Sequence, residues 1–181
     1  MEYLIVLIFV LIASIAFAIL ALYTLVILFY TKVPFVRTPN RVIAMVLDEA
    51  NIKPGENVYD LGCGDARFLI EVEKRTGANT FGFEIAPWAY FLARLNIKLK
   101  KSKTVLYHKN FYKQDLSGAD VVFCFLMDSV MPKVQAKLEQ DLKPGARVIS
   151  FAFAIKAWQP AKIIDSKKFH PRASKIYIYQ R

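Results

Sequence analysis

Val58-Tyr59-Asp60-Leu61-Gly62-Cys63-Gly64-Asp65-Ala66-Arg67-Phe68-Leu69-Ile70 is the stretch that decides the fold. Its start predicts a buried strand, its glycines predict a tight turn, and its end predicts the first turns of a helix. Two glycines one residue apart let the backbone approach a ligand, because neither has a Cβ. The helix start offers free N–H groups and the positive end of the helix dipole. This order is typical of open α/β sheets that bind nucleotide-like ligands at the carboxyl ends of their strands.

The dinucleotide fingerprint G-x-G-x-x-G is the nearest alternative for this turn. Arg67 occupies its third glycine position, which disfavours a pyrophosphate packed beneath the helix. Asp60, just before the turn, suits a ligand with a cationic or amino end. S-Adenosylmethionine (SAM) has such an end. The string Asp60-Leu61-Gly62-Cys63-Gly64-Asp65 resembles the first motif of seven-strand SAM-dependent methyltransferases.

Strand and helix signals alternate along the rest of the chain. They predict an α/β fold, and the resemblance to SAM-dependent methyltransferases implies a Rossmann-like seven-strand class I methyltransferase sheet with helices on both faces. Thr38 is the expected N-cap of the first helix of this domain, with Pro39 at its first position. Alternation in the last strand predicts a half-exposed edge. The predicted strands cover residues 57–60, 80–84, 104–108, 119–126, 146–154, 161–165 and 174–179, and the helices cover 39–51, 66–76, 87–99 and 132–142.

Polar residues at the predicted strand ends are the candidate cofactor ligands. Glu84 ends the second strand, 24 residues after Asp60, where a carboxylate accepts both ribose hydroxyls of a nucleoside. A solvated strand-end glutamate is the alternative. In methyltransferases of this fold the adenine lies near the end of strand three, so Asn110 and Phe111 are candidates for its amino group and ring. The full predicted set is Asp60, Gly62, Cys63, Gly64, Asp65, Glu84, Ile85, Asn110 and Phe111.

Asp128 follows strand four, where substrate meets cofactor, and is the candidate catalytic residue that orients an incoming amine. A helix N-cap ahead of Pro132 is the alternative role. No Asn-Pro-Pro-Tyr or Asp-Pro-Pro-Tyr string follows this strand, which disfavours nucleobase and glutamine acceptors. Cys124 lies inside the strand without a following proline, which disfavours covalent attack on cytosine. With Cys63 it makes only two cysteines, so neither a disulfide scaffold nor a metal site is expected.

An apolar run opens the chain, and it has no charged residue from Tyr3 to Tyr30. As a helix it reaches about 42 Å, against a hydrocarbon core of about 30 Å. Ala16-Phe17-Ala18 would suit a signal peptidase, but no basic segment precedes it and the apolar run continues beyond it. We expect a single-pass transmembrane anchor over residues 1–31, a linker over 32–38 and a methyltransferase domain over 39–181.

Charge is concentrated after the apolar run. All 25 Lys and Arg and 14 of the 15 acids lie there, which gives this part a net charge of +11. Lys32, Arg37 and Arg41 follow the span and only Glu2 precedes it, so the domain is expected on the cytoplasmic side. A tethered basic domain is expected to contact anionic headgroups. Nucleic-acid binding is disfavoured because the anchor already explains a basic surface. The oligomeric state is left open.

Several separate strings resemble a single family. With the N-terminal span, they are similar to the membrane-anchored lysine methyltransferases of mitochondria and their prokaryotic relatives, over about residues 33–165. Known members methylate lysines in the ATP synthase c-subunit and the adenine nucleotide translocase. The chain departs from the family at two positions. Ala66 stands where the family usually has glycine, and Ala86 stands where asparagine is common. The strings are Pro34-Phe35-Val36, Thr38-Pro39, residues 60–67, Gly82 to Trp88, Met131, Lys137-Leu138, Gly145 to Val148 and Trp158-Gln159-Pro160.

The resemblance implies a protein-lysine N-methyltransferase that uses SAM and acts on a membrane or membrane-adjacent protein. The chain has no arginine- and serine-rich transit segment, so a prokaryotic relative is expected. Two other functions stay open. One is a methyltransferase for a lipid or quinone-like small molecule, which the anchor suits equally well. The other is a non-catalytic membrane-tethered SAM-binding domain, which the intact set of Asp60, Gly62, Gly64 and Glu84 disfavours.

Overall fold

The computed structural model describes residues 1–31, 35–165 and 174–181. The chain forms two compact units, Met1–Pro34 and Phe35–Arg181. In the expected linker, residues 32–34 lie outside the described residues. The first unit is one helix, α1, from Glu2 to Thr31. Within the described parts of the chain, one helix is long and apolar enough to cross a bilayer, over Glu2–Val26 with mean hydropathy 3.2.

The second unit is a seven-stranded sheet in the order β3-β2-β1-β4-β5-β7-β6. Strands β1 to β5 are parallel, and β7 is antiparallel to both β5 and β6. The predicted α/β fold with seven strands is confirmed, and element ends lie within three residues of the predicted ones. The elements are α2 (Asn40–Glu49), β1 (Asn57–Leu61), α3 (Arg67–Thr76), β2 (Asn79–Phe83), α4 (Pro87–Lys100), β3 (Val105–Tyr107), β4 (Val121–Cys124), α5 (Met131–Asp141), β5 (Arg147–Phe151), β6 (Lys162–Asp165) and β7 (Lys175–Gln180).

Strand β1 lies between β2 and β4, and all three are parallel. The chain leaves β1 towards β2 and β3, then crosses back to β4 on the other side. This reversal opens a crevice at the carboxyl ends of β1 and β4, the position where open α/β sheets bind ligands. All four residues of β4 are buried, as its continuous apolar run requires in a strand covered on both faces.

The core forms around this central part of the sheet. Helix α2 buries one apolar stripe, which includes Val46, and α3 buries Phe68 and Leu69. The Phe68 ring stacks on Phe123 of β4, with ring centroids 3.9 Å apart. Gly77 ends α3 in the left-handed conformation, as predicted for the residue after a helix.

The prediction that Thr38 caps α2 is wrong. Pro39 is the N-cap, with φ −62° and ψ 141°, and the helix begins at Asn40. The Pro39 carbonyl accepts from the N–H groups of Val42 and Ile43, and no side chain caps the helix. Thr38 is instead buried. The extended ψ of Pro39 moves the helix start one residue later than predicted.

The prediction that the last strand is an edge is also wrong. Strand β7 pairs with β5 on one side and with β6 on the other, so β6 forms the edge. Ile176 and Tyr179 are buried, whereas Ile163 of β6 is 51% exposed. The Tyr179 hydroxyl accepts a hydrogen bond from the Ile155 N–H, which lets a polar tyrosine lie in the core.

Candidate active site

The glycine turn between β1 and α3 has a backbone that glycine favours. Gly62 has φ +84° and Gly64 has φ +58°, both in the left-handed region. The N–H groups of Gly62 and Cys63 donate to the Phe83 carbonyl at 2.9 and 3.0 Å, which ties the turn to the end of β2. A Cβ on Gly82 would lie 2.7 Å from Cys63 Sγ, so that glycine allows the close packing of turn and strand.

Ala66 ends this turn in the same left-handed region, with φ 60°. This conformation costs an alanine about 1–2 kcal/mol, because its Cβ lies too close to the following carbonyl oxygen. Glycine has no Cβ and avoids that cost. The conformation gives a physical reason for the glycine that the resembled family has at this position.

Glu84 follows β2 directly and is 8% exposed, so it is not a solvated strand-end residue. Its Oε2 accepts from the Gly64 N–H at 2.9 Å and its Oε1 accepts from the Ala86 N–H at 2.8 Å. Burial raises the pKa of Glu84, and the backbone N–H groups of Ala86, Gly64 and Ile85 partly oppose that rise. A carboxylate has about four acceptor positions, so both oxygens retain a lone pair for two ribose hydroxyls.

Asp60 is the other buried carboxyl group, and it is 3% exposed. Burial raises the pKa of Asp60 well above 3.8, and the nearby Glu84 and Asp65 carboxylates raise it further. An anion in this position is stabilised by a cationic partner. The site therefore fits a ligand with an ammonium group, as SAM has.

Asp65 is buried too, but its charge is compensated within the chain. Arg67 Nε lies 3.1 and 3.0 Å from its two oxygens, and Arg37 Nε lies 3.2 Å from Oδ2. Asn96 Nδ2 donates to the Asp65 backbone carbonyl at 2.9 Å. The residue that disrupts the dinucleotide fingerprint, Arg67, thus has a structural role in holding the turn.

Phe35 is a site residue that the sequence pattern did not predict, because it lies in the expected linker. Its Cε2 lies 2.8 Å from the position that a Cβ on Gly64 would take. Its ring meets Trp88 edge to face, with centroids 4.5 Å apart. Phe35 therefore covers the glycine turn, and Trp88 packs against that cover. The sequence signal that could have found it is a large apolar residue, Phe35, two positions before Arg37, within the segment expected to be a linker.

The predicted adenine side lies after β2 and β3. The Ile85 carbonyl is 3.0 Å from His108 Nε2. Asn110 Oδ1 accepts from the Tyr112 N–H at 3.0 Å and caps a short 3-10 turn, Phe111–Lys113. The Asn110 amide nitrogen keeps its two donors. The structure brings these residues to the same edge of the sheet as Glu84, because β2 and β3 are parallel neighbours.

The predicted acceptor side, after β4, is open. Asp128 is 51% exposed and its Oδ2 lies 3.0 Å from Lys156 Nζ. Val130 is the N-cap of α5, and no side chain caps that helix, so the alternative role of Asp128 as a side-chain cap is wrong. Its carboxylate pairs with Lys156 instead. The catalytic role of Asp128 stays a prediction.

The remaining candidates have structural roles or no reactivity. Burial raises the pKa of Cys124 to about 12 and that of Cys63 well above 9.0, so both thiols are protonated. Trp158 Nε1 donates to Glu139 on α5 at 2.7 Å, and the Trp158 ring meets Tyr179 edge to face. Within the described residues no group of three or more His, Cys, Asp or Glu side chains forms a metal site.

Comparison with known proteins identifies the family. The ANTKMT methyltransferase domain matches residues 60–162, more than half of the chain. A protein-lysine N-methyltransferase from Saccharolobus islandicus is 37% identical over 150 residues, which cover 81% of this chain and 92% of that protein. The adenine nucleotide translocase lysine N-methyltransferase of Mus musculus is 35% identical, covering 74% of this chain and 58% of its own length. Further relatives, from Xenopus laevis and Homo sapiens, are named as lysine N-methyltransferases of the ATP synthase c-subunit.

A solved structure agrees with the fold. The RNA methyltransferase from Salinibacter ruber in complex with S-adenosylhomocysteine has a TM-score of 0.75 and 30% identity, over 80% of this chain and 93% of that one. The predicted fold, cofactor class and family resemblance are confirmed. The chain belongs to the ANTKMT methyltransferase family of SAM-dependent protein-lysine N-methyltransferases.

Proposed function

We propose that this chain is a membrane-anchored enzyme that methylates a lysine of a membrane or membrane-adjacent protein. The observation that carries the lysine assignment is the 37% identity with a protein-lysine N-methyltransferase over 92% of that protein. The proposed anchor is α1, with its 25-residue apolar span. The excess of Lys and Arg after it supports a domain on the cytoplasmic side. The proposed organisation is an anchor at residues 1–31, a linker at 32–38 and a catalytic domain at 39–181.

The proposed cofactor contacts follow from the carboxyl groups and the turn. Asp60 binds the ammonium of SAM, and Glu84 accepts from the ribose hydroxyls. Bound SAM supplies an electrophilic methyl group on a sulfonium, so the protein mainly positions donor and acceptor and excludes water. The turn residues approach the cofactor through their backbone, and the remaining residues surround the adenine. These are Gly62, Cys63, Gly64 and Asp65 for the turn, and Ile85, Asn110 and Phe111 for the adenine.

Asp128 is proposed to orient the acceptor amine. Its carboxylate holds the ammonium of Lys156, 3.0 Å away. That ammonium is chemically the same group as an incoming substrate lysine, so the pair supports a role for Asp128 in accepting a lysine side chain. The acceptor must then lose a proton before transfer. A desolvated lysine near a cation has a lowered pKa, which favours that loss.

RNA is the second candidate acceptor, because the solved neighbour with 30% identity is named an RNA methyltransferase. The net charge of +11 after residue 30 is compatible with it. Two observations favour protein instead. The curated relatives at 35–37% identity are named lysine methyltransferases. The Cys124 thiol is fully buried and protonated, so it cannot form a covalent adduct with a pyrimidine.

The test is methyl transfer with fractionated products. Full-length chain is incubated with bacterial or archaeal membranes, total RNA and methyl-tritiated SAM, and protein, RNA and organic extract are then separated. We expect label in one or a few protein bands, lost with Glu84→Ala and retained with Asp48→Ala. Asp48 is 62% exposed on α2 and serves as the matched acidic control. Label confined to RNA, or to the organic extract, contradicts the protein-lysine proposal and identifies RNA or a lipid-like acceptor.

A further inference from the structure

Helix α4 exposes large apolar side chains along one stripe. Phe91 is 69% exposed, Leu95 is 42% exposed and Leu99 is 68% exposed. Residues four apart lie above one another on a helix, so the three side chains form a continuous line a little over two turns long. Surface helices ordinarily direct charged and polar residues outward. This stripe is therefore a surface that needs a partner.

The opposite face of α4 is small and already packed. Ala89 and Ala93 are 1% and 0% exposed, and the helix packs against α3 and β3. The large apolar residues point away from the domain core while two alanines fill the contact with it. The stripe is thus not a core face left open by a missing element of this sheet.

The charged residues that α4 itself and the segment after it provide are all positive. From Pro87 to Lys103 there is no acidic residue, and Arg94 and Lys98 lie on the exposed side of the helix. Lys100 and Lys101 extend the cationic set past its end. Within the described residues, no ion pair uses any of these four cations. An apolar line flanked by uncompensated cations is complementary to an anionic, apolar surface.

We propose that α4 lies in the interface of an anionic bilayer, with Phe91, Leu95 and Leu99 at the boundary between headgroups and acyl chains. This inference rests on the membrane anchorage proposed above. Amphipathic helices bind in this way when an apolar face combines with Lys and Arg, which attract anionic headgroups. A protein surface, or a second copy of this basic chain, would have to provide both the apolar groove and the acidic rim.

The start of α4 is linked to the glycine turn by two aromatic side chains. Trp88, in the first turn of α4, packs against Phe35, which covers Gly64. The cofactor turn is therefore fixed to the start of the membrane-facing helix. The acceptor lysine is expected close to the headgroups, where such a seated domain reaches it.

The test places a nitroxide on the full-length chain in nanodiscs loaded with one chain each. Cys63 and Cys124 are buried, so labels are attached at Leu95→Cys or, as the control, Ile163→Cys. Ile163 is a matched exposed apolar residue, on the edge strand β6 at the far side of the sheet. The measurement is the rate at which the nitroxide collides with oxygen and with a water-soluble nickel chelate. It is made in discs of POPC with 30% POPG and in discs of pure POPC.

We expect the label at position 95 to be reached by oxygen and shielded from nickel in the POPG discs, and the label at 163 to be open to nickel. The double variant Arg94→Gln with Lys98→Gln should lower the ratio of docked to undocked chain about 25-fold, because each basic residue contributes about fivefold. Equal nickel access at 95 and 163 overturns the proposal. So does equal shielding in pure POPC, or shielding that is absent from the one-chain discs and appears in a second preparation with two chains in each disc.

The two proposals fail in different ways. A chain that co-purifies with the discs but leaves position 95 open to nickel contradicts the docking of α4 alone. A chain that does not co-purify with discs contradicts the anchorage and the docking together. SAM affinity, measured by calorimetry on Phe91→Ser with Leu99→Ser, should equal that of the wild type. A loss of SAM affinity in that variant would show that the stripe supports the fold instead of the bilayer contact.

Discussion

The two halves of the crevice are built differently. On the β1–β2 side the carboxylates are buried, and backbone N–H groups hold Glu84. On the β4 side Asp128 is 51% exposed and pairs with one exposed lysine, Lys156. The half proposed to bind the cofactor is thus built from buried groups held within the chain, whereas the half proposed to bind the acceptor is an open surface. Changes to the first half should act on SAM affinity, and changes to the second should act on turnover.

The largest effect is expected from Glu84→Ala. If Glu84 accepts from both ribose hydroxyls as proposed, the variant loses two charge-assisted hydrogen bonds, each worth about 1.5–3 kcal/mol, and SAM affinity should fall at least about 100-fold. The measurement is calorimetric titration of the full-length chain in detergent, with circular dichroism to show that the fold persists. Asp48→Ala is the control. An affinity within a few-fold of the wild type would remove Glu84 from the cofactor site.

Asp60→Asn should lower SAM affinity and at the same time raise the stability of the ligand-free protein. Because the pKa of Asp60 is raised in the fold, ionisation of the ligand-free protein costs stability as pH rises above the ordinary value of 3.8. The variant should therefore melt higher than the wild type near pH 8, and the difference should shrink towards pH 4. Its SAM affinity should be about 10- to 100-fold lower at neutral pH, for the loss of one charge-assisted contact.

The pH profile of SAM affinity provides the check on Asp60. In the wild type, affinity should increase with pH as the Asp60 carboxyl ionises, and in Asp60→Asn this increase should be absent or reduced. A variant that melts lower than the wild type near pH 8, or an unchanged pH profile, would show that Asp60 has an unseen partner in the free protein.

Phe35→Ala tests whether the segment before the domain belongs to the cofactor half. Loss of the cover over Gly64 and of the edge-to-face contact with Trp88 should lower SAM affinity about 2- to 10-fold, as aromatic pairs contribute about 0.5–1.5 kcal/mol. Val36→Ala is the neighbouring control, since Val36 is 57% exposed. Equal affinities in both variants and the wild type would make Phe35 part of the linker only.

Asp128→Asn should give the smallest effect on binding and fold. SAM affinity should be unchanged, and unfolding free energy should change by less than about 1 kcal/mol, because exposed ion pairs contribute little. Turnover on a lysine acceptor should fall several-fold, since the amine loses its orienting charge. If kcat is unchanged at saturating acceptor, Asp128 has no part in orienting the amine.

What the sequence predicts well is local. Asp60, Gly62 and Gly64 lie on a strand and turn that lead directly into a helix, and short-range backbone geometry determines their positions. Gly77 is another local signal, and the structure confirms it as the residue that ends α3. These features need no knowledge of distant contacts, which is why they are visible in the sequence alone.

What the sequence does not predict depends on distant pairing. The edge of the sheet moves from β7 to β6 because β6 pairs on the outer side of β7, which no pattern within residues 174–179 reveals. Lys156 meets Asp128 across 28 positions, and Phe35 meets Gly64 across 29. In each case an exposed or linker-like residue acquires its role from tertiary contact.

The chemical identity of the methylated product is the most direct test of the lysine assignment. Protein labelled by the wild-type chain with methyl-tritiated SAM is hydrolysed in acid, and the labelled amino acids are separated. We predict radioactivity in Nε-methylated lysine, and none there when the Glu84→Ala variant replaces the wild type. Radioactivity in another methylated amino acid, or none in the protein hydrolysate while SAM still binds, would contradict the lysine assignment.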